Sequence, residues 1–338
     1  MGGINWSELF PGRWSPVIFT SYIALFVNQG ILVTWSQKSG YYEYNIVAVV
    51  LMTEFLKLII STVLYCKNNN ILTLFHEIKK YKTVLLLYMI PAFLYCLYNN
   101  LAFVNLARFD PTSYYVLLQL RVVLTGIIFQ VIFNKKLSSI QWFSLLILTV
   151  GCMIKHFNVQ VLNQEFHVNI SLGFILIQTT CSCLAGVYNE YLLKKQGAEI
   201  DIFVQNIFMY IDSIICNIIA IILLSTFEIN TFSSVSINAS LQPKVILIMI
   251  NNALVGIITS FFLKALNSIL KTFASAMELI FTAVLCWILF GIPINTNTVI
   301  SIAMVSFAVV IYSRNPVQNA PLKEKTPENS RLLTSSIV

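Results

Sequence analysis

Eight charged side chains lie within or at the edges of long apolar segments of this sequence, and they are the residues best placed to do chemistry. They are Glu54, Lys57, Arg121, Glu190, Asp212, Lys264, Lys271 and Glu278. A charge near the middle of a lipid bilayer costs roughly 2.5–3.5 kcal/mol on insertion scales. Each of these charges must therefore be paired, hydrated or neutralised, and a charge that has no partner nearby in the sequence indicates a polar cavity.

Arg121 is the strongest candidate for a cation that binds a ligand. It lies in the middle of the apolar segment from Pro111 to Phe133, and no acidic residue lies within one helical turn of it. Tyr114 and Thr125 lie seven residues before it and four residues after it, so a helix places them on the same face. Because the planar guanidinium group can bind phosphate through two hydrogen bonds, the pattern predicts a cavity that binds an anion.

A second polar stripe runs along a later apolar segment. Lys271, Ser275, Glu278 and Thr282 are spaced four, three and four residues apart, which places them on one helix face. Two interpretations fit this stripe. Arg121 and Glu278 could form an ion pair that fixes two helices together, or Arg121 and Lys271 could face phosphate oxygens in a cavity. An ion pair that opens when phosphate binds would combine the two.

Two further pairs combine opposite charges at helical spacing. Glu54 and Lys57 are three residues apart. They can form a structural ion pair, or Glu54 can hold Lys57 toward a substrate path. Glu190 and Lys194 are four residues apart near the end of an apolar segment, which is typical of an ion pair at the protein surface.

Asn206 and Tyr210 are four residues apart and share one face of a predicted helix. An amide beside an aromatic ring suits a nucleobase, because the amide can bond to the edge of the base while the ring stacks on it. Polar contacts between packed helices are the alternative interpretation. Asp212 lies on the opposite side of the same helix, and the sequence assigns it no role.

The composition places these residues in a membrane protein. Of the 338 residues, 57% are hydrophobic and 10% are charged, which exceeds the apolar share that a soluble chain of this length can bury. The net charge of +7 comes from scattered basic residues, so we expect a lipid bilayer as partner and no nucleic acid. The seven cysteines show no metal-ligand spacing, so no metal, cofactor or disulfide framework is expected either.

Ten apolar segments approach the length of a membrane-spanning helix. They are residues 17–35, 44–65, 83–106, 111–133, 140–156, 170–193, 202–226, 245–266, 272–290 and 298–312. If both termini are cytoplasmic, thirteen lysines and arginines lie on the cytoplasmic side and four on the other, as the positive-inside rule requires. Asn169 and Asn238 begin glycosylation sequons that would lie on the opposite side. The sequence predicts an all-α polytopic membrane protein.

A weak internal repeat at an offset of 157 residues aligns Arg121 with Glu278 and Tyr114 with Lys271. Each half then has five spans, and an odd number inverts the second half relative to the first. Inverted repeats of this kind place a binding site near the middle of the membrane. The predicted domains are a cytoplasmic N-terminus (1–16), a first five-helix repeat (17–157), a second five-helix repeat (170–313) and a disordered cytoplasmic tail (314–338).

Short motifs occur in a specific order and spacing over residues 45–312. They include Thr53-Glu54-x-x-Lys57-Leu58, Tyr98-Asn99-Asn100-Leu101-Ala102-Phe103, Tyr114-x-x-x-x-Gln119-Leu120-Arg121, Gln205-Asn206-x-x-x-Tyr210 and Leu270-Lys271-x-Phe273. With these motifs the chain resembles the nucleotide-sugar transporters of the drug/metabolite transporter superfamily. The resemblance is to the branch of CMP-sialic acid and UDP-galactose/UDP-N-acetylglucosamine transporters. Its Tyr188-Asn189-Glu190 motif is most similar to less-characterised UDP-sugar members of that branch.

The resemblance implies ten helices in an inverted five-plus-five repeat around a central cavity. It implies phosphate binding by Arg121, Lys271 and Lys57, and nucleobase binding by Asn206 and Tyr210. It implies a ribose or sugar region lined by Asn99, Tyr114, Thr259, Ser260 and Glu278. The implied activity is the exchange of a cytosolic pyrimidine nucleotide sugar for lumenal UMP or CMP. A UDP-sugar is the first candidate substrate, and a CMP-sugar is the alternative. This exchange would take place in the Golgi or endoplasmic reticulum membrane.

Two other classes of function were compared with transport. A membrane-embedded enzyme acting on a lipid-linked phosphate or sugar would present acids or histidines on sizeable loops. The longest loop, residues 228–244, has one acid and no histidine, so we do not expect an enzyme. A relative that no longer transports and acts as a partner or regulator of a transporter stays open, with Asp212 and Leu118 in its favour. An oligomer, either with itself or with other nucleotide-sugar transporters, also stays open.

Overall fold

The computed structural model describes residues 6–36, 46–106, 111–156, 170–225, 242–291 and 293–318. All regular structure within these ranges is helical. We label the ten long helices α1 to α10. They are α1 (Ser15–Ser36), α2 (Ile46–Cys66), α3 (Lys82–Leu106), α4 in two pieces (Pro111–Leu118 and Arg121–Phe133), α5 (Ser139–His156), α6 (Ile170–Tyr191), α7 (Ile202–Ser225), α8 (Pro243–Ala265), α9 (Ser268–Phe290) and α10 (Thr296–Arg314).

The lengths and compositions of these helices agree with a polytopic membrane protein. Nine candidate spans are found within the described ranges, with the two pieces of α4 contributing to one of them, and α5 is a shorter apolar helix. Large apolar side chains such as Val63 on α2 and Leu86 on α3 are exposed on the outside of the bundle, where a lipid environment would accept them. The prediction of an all-α polytopic membrane protein is confirmed.

Two short helices were not predicted. One is a single turn, Trp6–Leu9, before α1. The other, Ile71–Lys80, joins α2 to α3, and we call it the connecting helix. Its N-cap is Asn70, whose side-chain oxygen accepts a hydrogen bond from the Leu72 N–H. Its ten residues are too short for a membrane span, so apolar length does not reveal this helix.

The strongest helix–helix contacts of the first half have counterparts in the second half. Each counterpart is found by replacing a helix with the one five positions further along the chain, counting from α1 again after α10. The contacts of α1 with α8, α3 with α7 and α1 with α9 become those of α6 with α3, α8 with α2 and α6 with α4, while α2–α7 and α5–α10 map onto themselves. This pattern supports the predicted five-plus-five repeat. The inverted orientation of the halves stays a prediction, and so do the domain boundaries. Residue 157 and the tail from residue 319 lie outside the described residues.

Small residues allow the closest of these contacts. A Cβ added to Gly151 on α5 would lie 3.0 Å from Cβ of Met304 on α10, and one added to Gly30 on α1 would lie 2.9 Å from Cγ2 of Thr282 on α9. Nearby, the rings of Tyr22 on α1 and Phe262 on α8 pack with centroids 4.7 Å apart. The largest core of the described residues therefore depends on close approach of helices from both halves.

We expect Gly151→Leu to destabilise the fold. Its side chain would overlap α10, and overpacking of this kind costs about 1–3 kcal/mol in the free energy of unfolding. The matched control is Gly173→Leu on α6, since a Cβ there meets no described atom within 4 Å. Thermal unfolding of the purified protein in detergent would show a lower midpoint for Gly151→Leu alone. An equal drop in both variants would contradict this account of the α5–α10 contact.

Candidate functional site

Arg121 and Lys271 face the same cavity, which has a volume of about 100 Å³ and lies between α4, α5, α6 and α9. The other polar residues that line it are Gln119, Thr125, Cys152, Ser182, Cys183, Ser268, Thr272 and Ser275. No acidic residue is among the described residues of this lining. We call it the cationic cavity. Two cations and several hydroxyl groups in such a space can bind an anion by charge-assisted hydrogen bonds.

Arg121 is the first residue of the second piece of α4, so the predicted continuous helix from Pro111 to Phe133 is wrong at its middle. The Gln119 side-chain amide donates to the Tyr115 carbonyl oxygen at 3.2 Å. That oxygen would normally accept the backbone N–H of Gln119, which instead bonds to the Val116 oxygen at 3.1 Å. The helix tightens locally and restarts at Arg121.

Arg121 and Glu278 do not form the ion pair that one interpretation of the sequence required. Neither of the two ion pairs that lie within 4.0 Å among the described residues includes either residue. Glu278 instead lies within electrostatic range of both Arg121 and Lys155, and the Lys155 ammonium group donates to the Leu279 carbonyl oxygen at 2.9 Å. Lys155 is one of the four basic residues predicted to lie on the non-cytoplasmic side of the membrane. In the structure it bonds to the backbone of Leu279, a residue that lines the cationic cavity.

The start of α9, one turn before Lys271, is held by a buried ion pair. Glu190 is 1% exposed, and its Oε1 lies 2.7 Å from Nζ of Lys194. Its Oε2 accepts the backbone N–H of Ser268 at 2.7 Å, and Lys194 also donates to the Leu266 carbonyl oxygen. The prediction of an ion pair between Glu190 and Lys194 is confirmed, but its placement at the surface is wrong. The pair joins the end of α6 to the link between α8 and α9.

Lys57 lines a second cavity of about 360 Å³ between α1, α2, α3 and α8. Its Nζ lies 2.7 Å from Oε1 of Glu54, so the predicted ion pair is confirmed. The same Nζ lies 5.5 Å from the ring centroid of Tyr210. Asn99 shares this cavity with Lys57, whereas Arg121 and Lys271 are not among the described residues that line it. The structure therefore separates the three predicted phosphate ligands into two cavities.

Asn206 and Tyr210 are both buried on α7. Tyr210 lies beside Lys57, which lines the second cavity. The Asn206 Nδ2 has no hydrogen-bond partner among the described residues. The Tyr210 hydroxyl has no well-formed hydrogen bond there either, although Ser260 on α8 lies close enough to interact with it. A buried polar group without a partner costs about 1–3 kcal/mol, so such groups indicate a ligand or water that completes them. The role of these two residues in binding a nucleobase stays a prediction, with a polar contact between α7 and α8 as the alternative for Tyr210.

The remaining predicted residues lie outside the lining of both cavities. Tyr114 is buried, and its hydroxyl accepts a hydrogen bond from Gln178 at 2.8 Å, which in turn accepts one from Asn105 at 2.6 Å. Thr259 and Ser260 donate to backbone carbonyls of their own helix, α8. Asn169 and Asn238 lie outside the described residues, and their glycosylation stays a prediction.

Comparison with known proteins decides the family. The family model described as nucleotide-sugar transporter matches residues 18–313. The chain belongs to this family. It is 54% identical to the UDP-galactose transporter senju of Drosophila melanogaster, over 93% of this chain and 90% of that protein. It is 29% identical to CMP-sialic acid transporter 2 of Oryza sativa subsp. indica, over 85% of this chain and 80% of that protein.

A known structure agrees with the architecture of this transporter family member. A crystal structure of a protein with 12% sequence identity superposes with a TM-score of 0.63. The match covers 88% of this chain and 95% of the other. At that identity the likeness describes the fold alone. The family resemblance inferred from the motifs is therefore confirmed by sequence, and the helical architecture by structure.

We expect Glu190→Ala to destabilise the protein strongly. It would leave Lys194 buried without its carboxylate and the Ser268 N–H without an acceptor, and breaking a buried pair costs about 3–5 kcal/mol. The matched control is Glu199→Ala, since Glu199 is exposed in the turn that follows α6. Thermal unfolding should show a large fall in midpoint for Glu190→Ala and almost none for the control. A small effect of Glu190→Ala would mean that the contacts of Glu190 with Lys194 and Ser268 do not hold the start of α9 in place.

Proposed function

We propose that this nucleotide-sugar transporter exchanges a cytosolic UDP-sugar, with UDP-galactose as the first candidate, for lumenal UMP. The observation that carries the proposal is the cationic cavity, in which Arg121 and Lys271 face one space and no acidic residue is found among the described lining. The 54% identity to a UDP-galactose transporter favours uracil over cytosine, because the CMP-sialic acid transporters are only 27–29% identical. A CMP-sugar is the alternative substrate.

The charges of the proposed substrates match the cationic cavity. A UDP-sugar and UMP each carry about two negative charges near neutral pH. Arg121 can hold two phosphate oxygens through its planar fork, while Lys271 acts as a mobile point charge. Exchange keeps a dianion beside these cations in both directions of transport. A carrier that reoriented empty would instead move two uncompensated charges through a desolvated state, which is costly in hydrocarbon.

The proposed cycle requires the cationic cavity to enlarge. Its volume of about 100 Å³ is below the roughly 300–1,000 Å³ of sites that hold drug-sized ligands. We therefore interpret this conformation as closed around the phosphate position. The nucleobase would be held by Asn206 and Tyr210, whose polar atoms can bond to the edge of a pyrimidine. Lys57, beside Tyr210, would meet the part of the ligand that extends toward the second cavity.

The membrane context extends the proposal. We place the protein in the Golgi membrane, or alternatively in that of the endoplasmic reticulum, with both termini in the cytoplasm. Membership of the nucleotide-sugar transporter family supports the choice of membrane, and the thirteen-to-four distribution of lysines and arginines supports the orientation of the termini. The relatives found by sequence are transporters, and the proposal includes no enzymatic step. Assembly with itself or with other nucleotide-sugar transporters stays open to experiment.

We expect Arg121→Ala and Lys271→Ala each to abolish transport. Truncating one charged partner of a buried contact costs roughly 2–5 kcal/mol, which corresponds to at least about thirtyfold. The measurement is counterflow of labelled UDP-galactose into proteoliposomes preloaded with UMP. The control is Lys195→Ala, because Lys195 is exposed after α6 and should transport as the wild type does. Wild-type rates in both cavity variants, with wild-type unfolding midpoints, would contradict the proposed phosphate site.

We expect UMP to raise the midpoint of thermal unfolding more than CMP, GMP or AMP does. A ligand that binds only the folded state stabilises it by RT ln(1 + [L]/Kd), about 2.7 kcal/mol at one hundred times Kd. The purified protein would be tested with all four nucleotides, and Arg121→Ala should lose the shift. A larger effect of CMP would favour the CMP-sugar alternative. Absence of a shift with every nucleotide would favour a relative that regulates a transporter without transporting.

A further inference from the structure

The connecting helix has an apolar edge that the protein does not cover. Leu72 is 71% exposed and Phe75 is 63% exposed, whereas Leu74 on the other edge is 4% exposed. Leu74 and Ile78 pack against the cluster that contains Tyr65 at the end of α2. The helix is therefore held against the bundle by one edge only. The spacing of Leu72, Phe75 and Lys79 at i, i+3 and i+7 places a lysine at the end of the uncovered edge.

This uncovered edge is continuous with the part of the protein that faces lipid. The connecting helix starts five residues after α2 ends and finishes two residues before α3 begins. The exposed apolar side chains nearest to it along these spans are Val63 on α2 and Leu86 on α3. A short helix with an apolar edge at the end of two spans has the features of a helix that lies in the membrane interface. Its occupant is then the adjoining lipid leaflet.

The charge around the connecting helix selects among lipids. Lys67, Lys79, Lys80 and Lys82 lie within sixteen residues, and Glu77 is the one acid in that stretch. Glu77 forms no ion pair with these lysines in the described residues 46–106, and its Oε2 is buried without a partner. Lys79 and Lys80 are exposed in the last turn. Lysines beside an apolar edge extend their ammonium groups to headgroup level, where anionic headgroups attract them.

We propose that the connecting helix lies in the headgroup region of the adjoining leaflet and binds anionic phospholipid through Lys79 and Lys80. Leu72 and Phe75 enter the outer part of the acyl region, while Leu74 and Ile78 fix the helix to the bundle. The lipid would thereby tie the α2–α3 connection to the membrane. This proposal is independent of the proposed transport activity, because none of these residues lines either cavity among the described residues.

The test uses the purified full-length protein in a neutral detergent, titrated with phosphatidylinositol or phosphatidylcholine, with the midpoint of thermal unfolding as readout. We expect phosphatidylinositol to raise the midpoint at lower concentration than phosphatidylcholine. In Lys79→Gln/Lys80→Gln the half-saturating concentration of phosphatidylinositol should rise roughly thirtyfold. The lipid-free midpoint of each variant reports whether it is folded, and both substitutions are at exposed positions.

Two further variants make the outcome specific. Lys135→Gln/Lys136→Gln removes the same charge after α4, where Lys135 donates to the Gln318 carbonyl oxygen, and it should respond to phosphatidylinositol as the wild type does. Leu72→Ser/Phe75→Ser keeps the lysines but should also weaken the response, because the helix would no longer enter the leaflet. An equal loss in the two lysine variants would show an effect of net charge and overturn the proposal. An equal response of the wild type to both lipids would overturn it as well.

Discussion

The cost of placing unpaired cations in hydrocarbon is the constraint on which the rest of this structure depends. Arg121 and Lys271 come from helices of different halves, and they face one small cavity whose described lining contains no acidic residue. Burial of two like charges is stable only if water or an anionic ligand accompanies them. Because its described lining holds two cations and no acidic residue, the cavity favours an anion.

The neighbouring polar contacts hold these cations in place without neutralising them. Glu190 is a buried acid that contacts the start of α9, and both its oxygens are engaged, by Lys194 and by the Ser268 N–H. Glu54 is likewise engaged by Lys57 in the second cavity. Glu190 therefore stabilises the junction between α6 and α9, and Glu54 stabilises the charge of Lys57. Their engagement leaves the positive charge of the cationic cavity available to a ligand.

The features that the sequence predicted depend on the spacing of residues along one helix, and those it missed depend on which backbone group a side chain bonds to. Helical spacing alone placed Glu54 beside Lys57, and apolar length alone located the spans. By contrast, the break before Arg121 carries no Gly or Pro signal, since it arises from the Gln119 amide taking a carbonyl of its own helix. The burial of Glu190 depends on the α8–α9 link, 78 residues further on. Neither feature follows from the length of an apolar segment or from the spacing of charged residues.

The two cavities suggest how a dianion and a neutral base can be handled separately. No acidic residue is among the described lining of the cationic cavity, although Glu278 lies within electrostatic range of Arg121, so binding of an anion there would change the electrostatic energy of the bundle. Near the second cavity the only charges among the described lining residues, Glu54 and Lys57, neutralise each other, while Asn206 keeps an unpartnered polar atom. Under the proposed function, recognition there would depend on hydrogen bonds, which discriminate between bases because a mismatched base leaves a buried group unpaired. On this basis phosphate would control whether the carrier reorients, and the base would control which ligand it carries.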